Sequence, residues 1–182
     1  MRGTQRTLFL LAVALQVAVL AAMAGKRWWL LEHGTPVLLP CEPVDPRSLF
    51  SGDYVRLRLS LSSLGERSEL SRLTNREWNA HEPIFVSVEK GTNAGLWRAV
   101  GVSADAPAAR RRSPVFLKGE VQSGWPLSVR YGAEEYFVPQ NEGLAIERSI
   151  RDREVTVELR VSASGESAIK RLFIQGKEVR FR

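Results

Sequence analysis

The chain divides into one continuous apolar run near its N-terminus and a long region in which apolar and polar positions alternate. Residues 7–25 contain no charged side chain and only two polar ones, Thr7 and Gln16. A helix of about 20 such residues is long enough to cross the hydrocarbon core of a membrane, which is roughly 30 Å thick. The run therefore predicts one membrane crossing. Basic residues flank it on both sides and two tryptophans follow it, as is typical of the membrane–water interface: Arg2, Arg6, Lys26, Arg27, Trp28 and Trp29.

A cleaved secretory signal is the competing interpretation of the same run. Ala22, Met23 and Ala24 fit the small–x–small pattern that is cut after a basic start and an apolar stretch. We favour a retained anchor, because the run is longer than most signal cores and because Lys26 and Arg27 would lie just beyond the cut. Two basic residues flank each end, so the charge rule does not set the orientation. Because the N-terminal tail is only six residues long, we expect it inside and the rest exported.

Alternation of apolar and polar side chains, which predicts strands with one buried face, recurs after residue 34. In residues 54–61, every second side chain from Val55 to Leu61 is apolar, with Arg56 and Arg58 between them. Turn-rich links predict two hairpins, one after residue 89 and one after residue 161. The predicted strands are 35–41, 54–61, 84–89, 96–102, 115–121, 127–131, 135–138, 155–161, 168–174 and 177–181.

Helical spacing is sparse in this region. It is found only in residues 66–78 and 143–151. The dense basic run at 110–112 follows Ala-Asp-Ala-Pro-Ala-Ala and precedes Ser113 and Pro114, so we predict a solvated loop there. The alternative is that these three arginines contact anionic lipid headgroups. Many short strands with Gly, Pro and Ser between them predict one all-β domain, either a barrel or a sandwich.

The distribution of charge separates an anchoring part from a nearly balanced domain. Residues 1–34 hold four Lys or Arg and one Asp or Glu, whereas residues 35–182 hold 22 and 19. Half of the net charge of +6 therefore belongs to the flanks of the apolar run. This distribution gives no support for nucleic-acid binding. We divide the chain into a tail and anchor (1–27), a juxtamembrane linker (28–34) and an extracytoplasmic β domain (35–182).

The residues that most often carry chemistry are few and scattered. Cys41 is the single cysteine, which excludes an internal disulfide and a cysteine-rich metal site, and we expect it to be a small buried apolar residue. His33 and His81 are far apart and have no clustered acidic partners. The chain has no Gly-rich phosphate loop, zinc-binding helix motif or nucleophile elbow. We expect no catalytic residue, no metal and no cofactor.

Residues 45–57 are the most distinctive segment of the domain. The sequence Asp-Pro-Arg-Ser at its start is typical of a turn, because proline fixes φ. Gly52 suits a position with positive φ, and Asp53 can accept hydrogen bonds from nearby backbone N–H groups or pair with Arg47. The segment is then either a turn that closes onto a strand or a surface where Asp53 and Tyr54 contact a partner protein.

This segment resembles the motif of the GDYXXLXY family, small bacterial membrane-anchored proteins, with Leu59 where the pattern has its closing tyrosine. Residues 131–139 with Glu142 and Gly143, and residues 168–174 with Gly176, also match. The resemblance implies a membrane anchor, an extracytoplasmic domain of unassigned function beside multipass membrane proteins, and no catalytic residue. The candidate partner-binding residues are Gly52, Asp53, Tyr54, Leu57, Glu134, Tyr136, Pro139 and Gly143.

The same segment is also similar to the nucleophile box of type I signal peptidases, although Val44 occupies the nucleophile's position. A competing hypothesis is therefore a degenerate peptidase-like hydrolase using Ser48 or Ser51 with Lys118 or Lys170. A third hypothesis is a domain that binds a small envelope ligand in a barrel mouth.

The predicted membrane anchor, the residue composition and the family resemblance together favour a non-catalytic accessory protein. We expect a single-pass bacterial protein of the inner membrane with a periplasmic domain. Its expected partners are the lipid bilayer and a multipass membrane protein, and not nucleic acid.

Overall fold

The computed structural model describes residues 2–42, 54–64, 76–92, 95–124, 126–137 and 155–179. Within these residues, most of the chain beyond residue 34 is β structure, which confirms the predicted fold class. The helices and strands, in chain order, are α1 (Arg2–His33), β1 (Thr35–Glu42), β2 (Tyr54–Arg56), β3 (Arg58–Leu59), β4 (Pro83–Lys90), β5 (Trp97–Ser103), α2 (Ala106–Arg112), β6 (Phe116–Gly124), β7 (Leu127–Arg130), β8 (Glu135–Phe137), β9 (Val155–Val161), β10 (Ser167–Ile174) and β11 (Lys177–Glu178).

Helix α1 is long and apolar enough to cross a membrane. The candidate span runs from Gln5 to His33, has a mean hydropathy of 2.4 and has no buried residue in its apolar window. Residues 28–33, which the sequence analysis assigns to a linker, continue this helix. Gly34 is the one residue between α1 and β1.

The strands form two larger sheets and one short pair, and all their pairings are antiparallel. One sheet has the order β11-β10-β9-β1-β3 and the other has the order β5-β4-β6-β7, while β2 pairs with β8. The β4–β5 and β9–β10 pairings confirm both predicted hairpins.

The segment that follows β3 joins the two larger sheets into a half-barrel. Ser60 N donates to the carbonyl oxygen of Pro40 in one sheet, at 3.0 Å. Two residues later, the Ser62 carbonyl oxygen accepts a 2.9 Å hydrogen bond from Val129 N in the other sheet. The hydrophobic core therefore extends continuously from one sheet to the other.

Strand β9 shows why the alternating pattern predicts strands well. Its four apolar side chains are at most 2% exposed, and the residues between them are half-buried. Fully burying a Val or Leu side chain contributes about 1.5–3 kcal/mol, so this face holds the strand against the core. On the other face, Glu158 and Arg160 form a 2.9 Å ion pair.

The predicted strand 54–61 is divided in two by Leu57. Strand β2 before it pairs with β8, whereas β3 after it pairs with β1. The alternating pattern continues through Leu57, so residue type does not mark this division. The division arises because the segment pairs with β8 before Leu57 and with β1 after it. Of the predicted helix 66–78, only 76–78 lie within the described residues, and they are not helical. The predicted helix 143–151 lies outside the described residues.

The prediction of a loop around residues 110–112 was wrong, because helix α2 ends there. Asp105 is its N-cap, and its carboxylate accepts a 2.7 Å hydrogen bond from Ala108 N. Pro107 lies in the first turn, where its missing N–H costs nothing. Three arginines in the last turn complement the partial negative charge of the helix C-terminus.

Candidate functional site

The two sequence segments with the clearest family pattern lie side by side in the fold. Strand β2 pairs with β8 in a register that places Tyr54 opposite Phe137 and Val55 opposite Tyr136. The contact continues past β2, because Leu57 N donates a 2.6 Å hydrogen bond to the carbonyl oxygen of Glu134. About 80 positions separate the two segments in the sequence, and pairing of their backbones brings them together.

A buried tyrosine fixes the turn before β8. Tyr131 is 6% exposed, and its hydroxyl donates a 2.8 Å hydrogen bond to the carbonyl oxygen of Leu61. Its backbone N–H donates to the carboxylate of Glu134. Burial, with a smaller contribution from Glu134, raises the pKa of the Tyr131 phenol well above its ordinary value. Tyr131 therefore remains neutral and serves as a structural hydrogen-bond donor.

The predicted partner-binding residues have different positions in the structure. Leu57 is 1% exposed and belongs to the core. Tyr136 is half-buried against the core, and burial together with the nearby Glu178 raises its pKa. Glu134 is half-buried at the β8 turn, and Tyr54 begins β2. Gly52, Asp53, Pro139 and Gly143 lie outside the described residues.

Of the four hydrolase candidates, the described residues include only the two lysines. Ser48 and Ser51 lie outside the described residues. Lys170 Nζ is 3.2 Å from Glu32 Oε1 on α1, in an ion pair that joins the helix to β10. Lys118 is exposed on β6; its backbone N–H donates to the carbonyl oxygen of Gly165, and its side-chain ammonium makes no hydrogen bond or ion pair to another described residue.

A cleft of about 1140 Å³ lies between the C-terminal part of α1 and the β domain, and we call it the junction cleft. The helix contributes Met23, Lys26, Arg27 and Leu30, whose i, i+3, i+4, i+7 spacing places them on one face. The family-motif segments also line the cleft, through Leu57, Glu134 and Glu135. The remaining lining comes from residues 58, 62, 118–120, 122, 129–132, 166 and 167.

The acidic side chains of the junction cleft already have partners. Lys26 Nζ is 2.8 Å from Glu166 Oε1, and Glu134 accepts from the backbone of Tyr131. Glu120 Oε1 is 2.7 Å from His81 Nδ1, and its other oxygen is 3.5 Å from Arg130. The hydrogen bond from His81 is the main cause of a lowered pKa at Glu120, and Arg130 adds to it. The carboxylates of Glu120, Glu134 and Glu166 are therefore already engaged by other groups of the protein.

The basic side chains retain more unused hydrogen-bonding capacity. The side chain of Arg58 donates a 3.3 Å hydrogen bond to Ser63 Oγ, and Arg27 donates to the carbonyl oxygen of Ser167 at 3.2 Å. A guanidinium has five N–H donors, so several remain available on each. With the exposed Lys118, these residues give the cleft a surplus of cationic donors.

Two serine hydroxyls at the cleft are buried without a hydrogen-bond partner among the described residues. Ser62 is 7% exposed and Ser167 is 6% exposed, and both line the cleft. Buried hydroxyls are normally hydrogen-bonded, so both are notable. Sequence analysis missed these residues and Arg58, because they come from separate strands and no local motif marks them.

The cleft is suited to binding an anion rather than a metal. No three His, Cys, Asp or Glu side chains within the described ranges are placed to hold a metal ion. Cys41 is 3% exposed, which confirms the prediction of a buried apolar role, and burial raises the pKa of its thiol from 9.0 to about 12. What the cleft offers is ammonium, guanidinium and hydroxyl donors beside the apolar side chains of Met23 and Leu30.

Comparison with known proteins identifies the family of the chain. Neither the curated proteins nor the solved structures include a match. The family model described as GDYXXLXY protein matches residues 16–172, which include most of α1, the paired motif strands and most of β10. Because this match covers most of the sequence and both segments that meet in the β2–β8 pair, the chain belongs to the GDYXXLXY protein family.

Proposed function

We propose that this chain is a non-catalytic, single-pass protein of the bacterial inner membrane, whose periplasmic β domain binds a multipass membrane protein. The observation that carries this proposal is the docking of α1 onto the domain. The helix exposes its apolar residues along most of its length, with Leu8, Phe9 and Leu15 between 61% and 68% exposed. Exposed apolar area of this extent is unfavourable in water and favourable in lipid.

The C-terminal end of α1 makes specific contacts with the domain. Lys26 pairs with Glu166 and Lys170 pairs with Glu32, so ion pairs join α1 to the β9–β10 hairpin. Leu30, in the same part of α1, is only 8% exposed, so its side chain is buried. The family-motif residues Leu57 and Glu134 line the same cleft as this helix end. A partner beside the helix in the bilayer would therefore meet the motif strands as well.

The membrane anchor can be tested on the full chain in its own membranes. We expect it to stay with vesicles during carbonate extraction and to have the mass of an uncleaved protein. We also expect protease added to spheroplasts to digest the β domain. Release by carbonate, or a mass corresponding to a chain that begins at Gly25, would contradict the anchor.

The partner can be tested by purifying the tagged full chain in a mild detergent and identifying its companions by mass spectrometry. We expect a multipass membrane protein that is retained through size-exclusion chromatography. Glu135→Lys changes an exposed residue of β8 at the cleft and should weaken this retention. Glu89→Lys, which changes an exposed residue of β4 outside the cleft lining, is the matched control. Recovery of a lone monomer, or equal effects of the two variants, would contradict the proposal.

The hydrolase hypothesis receives no specific support from the described residues. Its test is labelling by a fluorophosphonate probe, with Ser48→Ala and Ser51→Ala as controls. Labelling that depends on either serine would replace the accessory role by an enzymatic one. The small-ligand hypothesis has a specific physical basis, because the junction cleft offers a binding volume.

A further inference from the structure

The position of the junction cleft along α1 places it at the height of lipid headgroups. Lys26 is the first charged residue after the uncharged run, and the cleft wall extends from Met23 to Leu30. Trp28 and Trp29 are 60% and 59% exposed in the same part of the helix. Indoles prefer the membrane–water interface, so this part of α1 lies where hydrocarbon gives way to headgroups. This position in the membrane rests on the proposed anchoring of α1 but not on the proposed protein partner.

The chemistry of the cleft favours an anionic ligand with an apolar part. The carboxylates are already paired, whereas Lys118, Arg58 and Arg27 have donors to spare. The hydroxyls of Ser62 and Ser167, which have no hydrogen-bond partner in the described part of the chain, add two polar groups to the same lining. Phosphate oxygens are strong acceptors for such cationic donors.

The size and the apolar wall of the cleft distinguish a lipid from a free anion. Its volume of about 1140 Å³ is slightly above the range of about 300–1,000 Å³ that is usual for small-molecule sites. A free phosphate would leave the side chain of Met23, which is 65% exposed, without an apolar partner. A phospholipid would place its phosphate on the cationic side and the start of its acyl chains against α1.

We propose that the junction cleft binds the phosphate headgroup of an anionic phospholipid from the leaflet next to the β domain. Lys118 and Arg58 bind the phosphate oxygens, and Met23 contacts the upper acyl chain. Ser62 and Ser167 supply hydroxyls to the polar end of the site. The bound lipid thereby becomes part of the junction between helix and domain.

The test uses the full chain in a nonionic detergent, titrated with phosphatidylglycerol and observed by native mass spectrometry. We expect one phosphatidylglycerol per chain. Each cation near an anionic lipid surface contributes about 1 kcal/mol, so Lys118→Gln and Arg58→Gln should each weaken binding about fivefold. Arg111→Gln removes an exposed arginine of α2 outside the cleft and should leave binding unchanged. An equal loss in all three variants would overturn the site.

Two further experiments distinguish a phospholipid from free phosphate and a lipid from a polypeptide. Inorganic phosphate that saturates the chain at the same concentration as phosphatidylglycerol would overturn the lipid assignment. A photo-reactive residue at Gln122, an exposed position of the cleft lining, should give a lipid adduct in native membranes. A polypeptide adduct instead would overturn the proposal.

The variants also separate failure of this site from failure of the anchor. Lys118 is exposed, so Lys118→Gln should unfold at the same temperature as the unmodified chain, and it decides the test if Arg58→Gln does not fold. A chain that resists carbonate but shows no one-to-one lipid adduct would overturn only the lipid site. A chain that carbonate releases would overturn the anchor and, with it, the lipid site.

Discussion

Leu57 donates a 2.6 Å backbone hydrogen bond to the carbonyl oxygen of Glu134, and this contact extends the β2–β8 pair into the turn at Tyr131. Leu57 is also 1% exposed, so its side chain packs in the core while its backbone holds the second motif segment. The leucine of the family pattern therefore has a structural role that requires both its size and its position. A partner can contact the surface formed by these strands only while this pair is intact.

Truncation of this leucine should destabilise the domain strongly. Leu57→Ala leaves a cavity in a packed core, and such changes cost about 2–5 kcal/mol. Leu57→Met keeps the volume and should cost less than about 1.5 kcal/mol. The measurement is denaturant unfolding of the full chain in detergent, followed by tryptophan fluorescence. Equal, small losses for both variants would show that the side chain is not part of the core.

The buried phenol of Tyr131 predicts a loss of stability in alkali. Its pKa is raised in the folded state, so its stabilising effect is complete below the ordinary pKa of 10.0 and is lost as the pH rises through the folded value. Tyr131→Phe should remove this component of the pH dependence. It should also cost about 1–3 kcal/mol at neutral pH, because the Leu61 carbonyl loses its donor.

The unmodified chain and Tyr131→Phe should therefore be compared by unfolding at about pH 8 and at about pH 11. These values lie on either side of the ordinary pKa of the phenol, so the raised pKa of Tyr131 affects the stability only at the higher pH. We expect the stability difference between the unmodified chain and Tyr131→Phe to shrink at the higher pH. A constant difference would contradict burial of the phenol.

The sequence predicts those parts of the fold that depend on local alternation. Strand β9 was predicted correctly because Val155 to Val161 bury every second side chain, and a period of two has no other physical explanation. Helix α2 was not predicted, because the residues before the arginine run and the Ser113–Pro114 pair after it are typical of a loop, although Asp105 and Pro107 mark a helix N-terminus. The division at Leu57 could not be predicted, since it depends on strands that are distant in sequence.

The thiol of Cys41 should be unreactive while the domain is folded. Burial raises its pKa from 9.0 to about 12, which lowers the thiolate fraction at neutral pH about a thousandfold. We expect alkylation by iodoacetamide only after denaturation, as detected by mass spectrometry. Ala104→Cys introduces a thiol at an exposed position and should be alkylated at once in the native protein. Equal rates at the two positions would contradict the burial of Cys41.

A methyl group at Gly34 should disrupt the junction between α1 and β1. A Cβ there would lie 2.6 Å from the carbonyl oxygen of Leu30 and 3.0 Å from Val161 N, both of them backbone atoms. Gly34→Ala should therefore lower the stability by more than about 1 kcal/mol. Gly25→Ala, where a Cβ meets nothing within 4 Å, should be tolerated, because alanine favours helix.

The stabilities of the two alanine variants can be compared by their thermal unfolding in detergent. A similar melting temperature for Gly34→Ala and Gly25→Ala would show that the chain does not pass this closely at Gly34.

The docking of α1 predicts a specific cross-link. Lys26 Nζ and Glu166 Oε1 are 2.8 Å apart, so Lys26→Cys with Glu166→Cys should be joined by a short bismaleimide reagent in native membranes. Lys26→Cys with Glu89→Cys pairs the same helix position with an exposed residue of β4 and should not react. The measurement is the mass of the peptide released by protease. Equal cross-linking of both pairs would contradict a fixed docked helix.

Only part of the candidate site could be predicted from the sequence. The motif residues Leu57 and Glu134 were identified by their family pattern. Lys118 was considered only as a hydrolase residue, and Ser167 was not identified. Lys118 and Ser167 lie on different strands and approach α1 only when the sheets are assembled. Sites built from several distant segments have no local sequence signal, because their geometry arises from strand pairing.

Gly34 connects α1 directly to β1, and its backbone is held by hydrogen bonds on both sides. Its N–H donates to the carbonyl oxygen of Leu30 at 2.9 Å, and its own carbonyl oxygen accepts from Arg160 at 3.1 Å. In a bilayer, the domain would rotate and tilt together with α1 and would not move independently of it. A change in the tilt of α1 caused by membrane thickness would therefore produce a larger displacement at the far end of the domain.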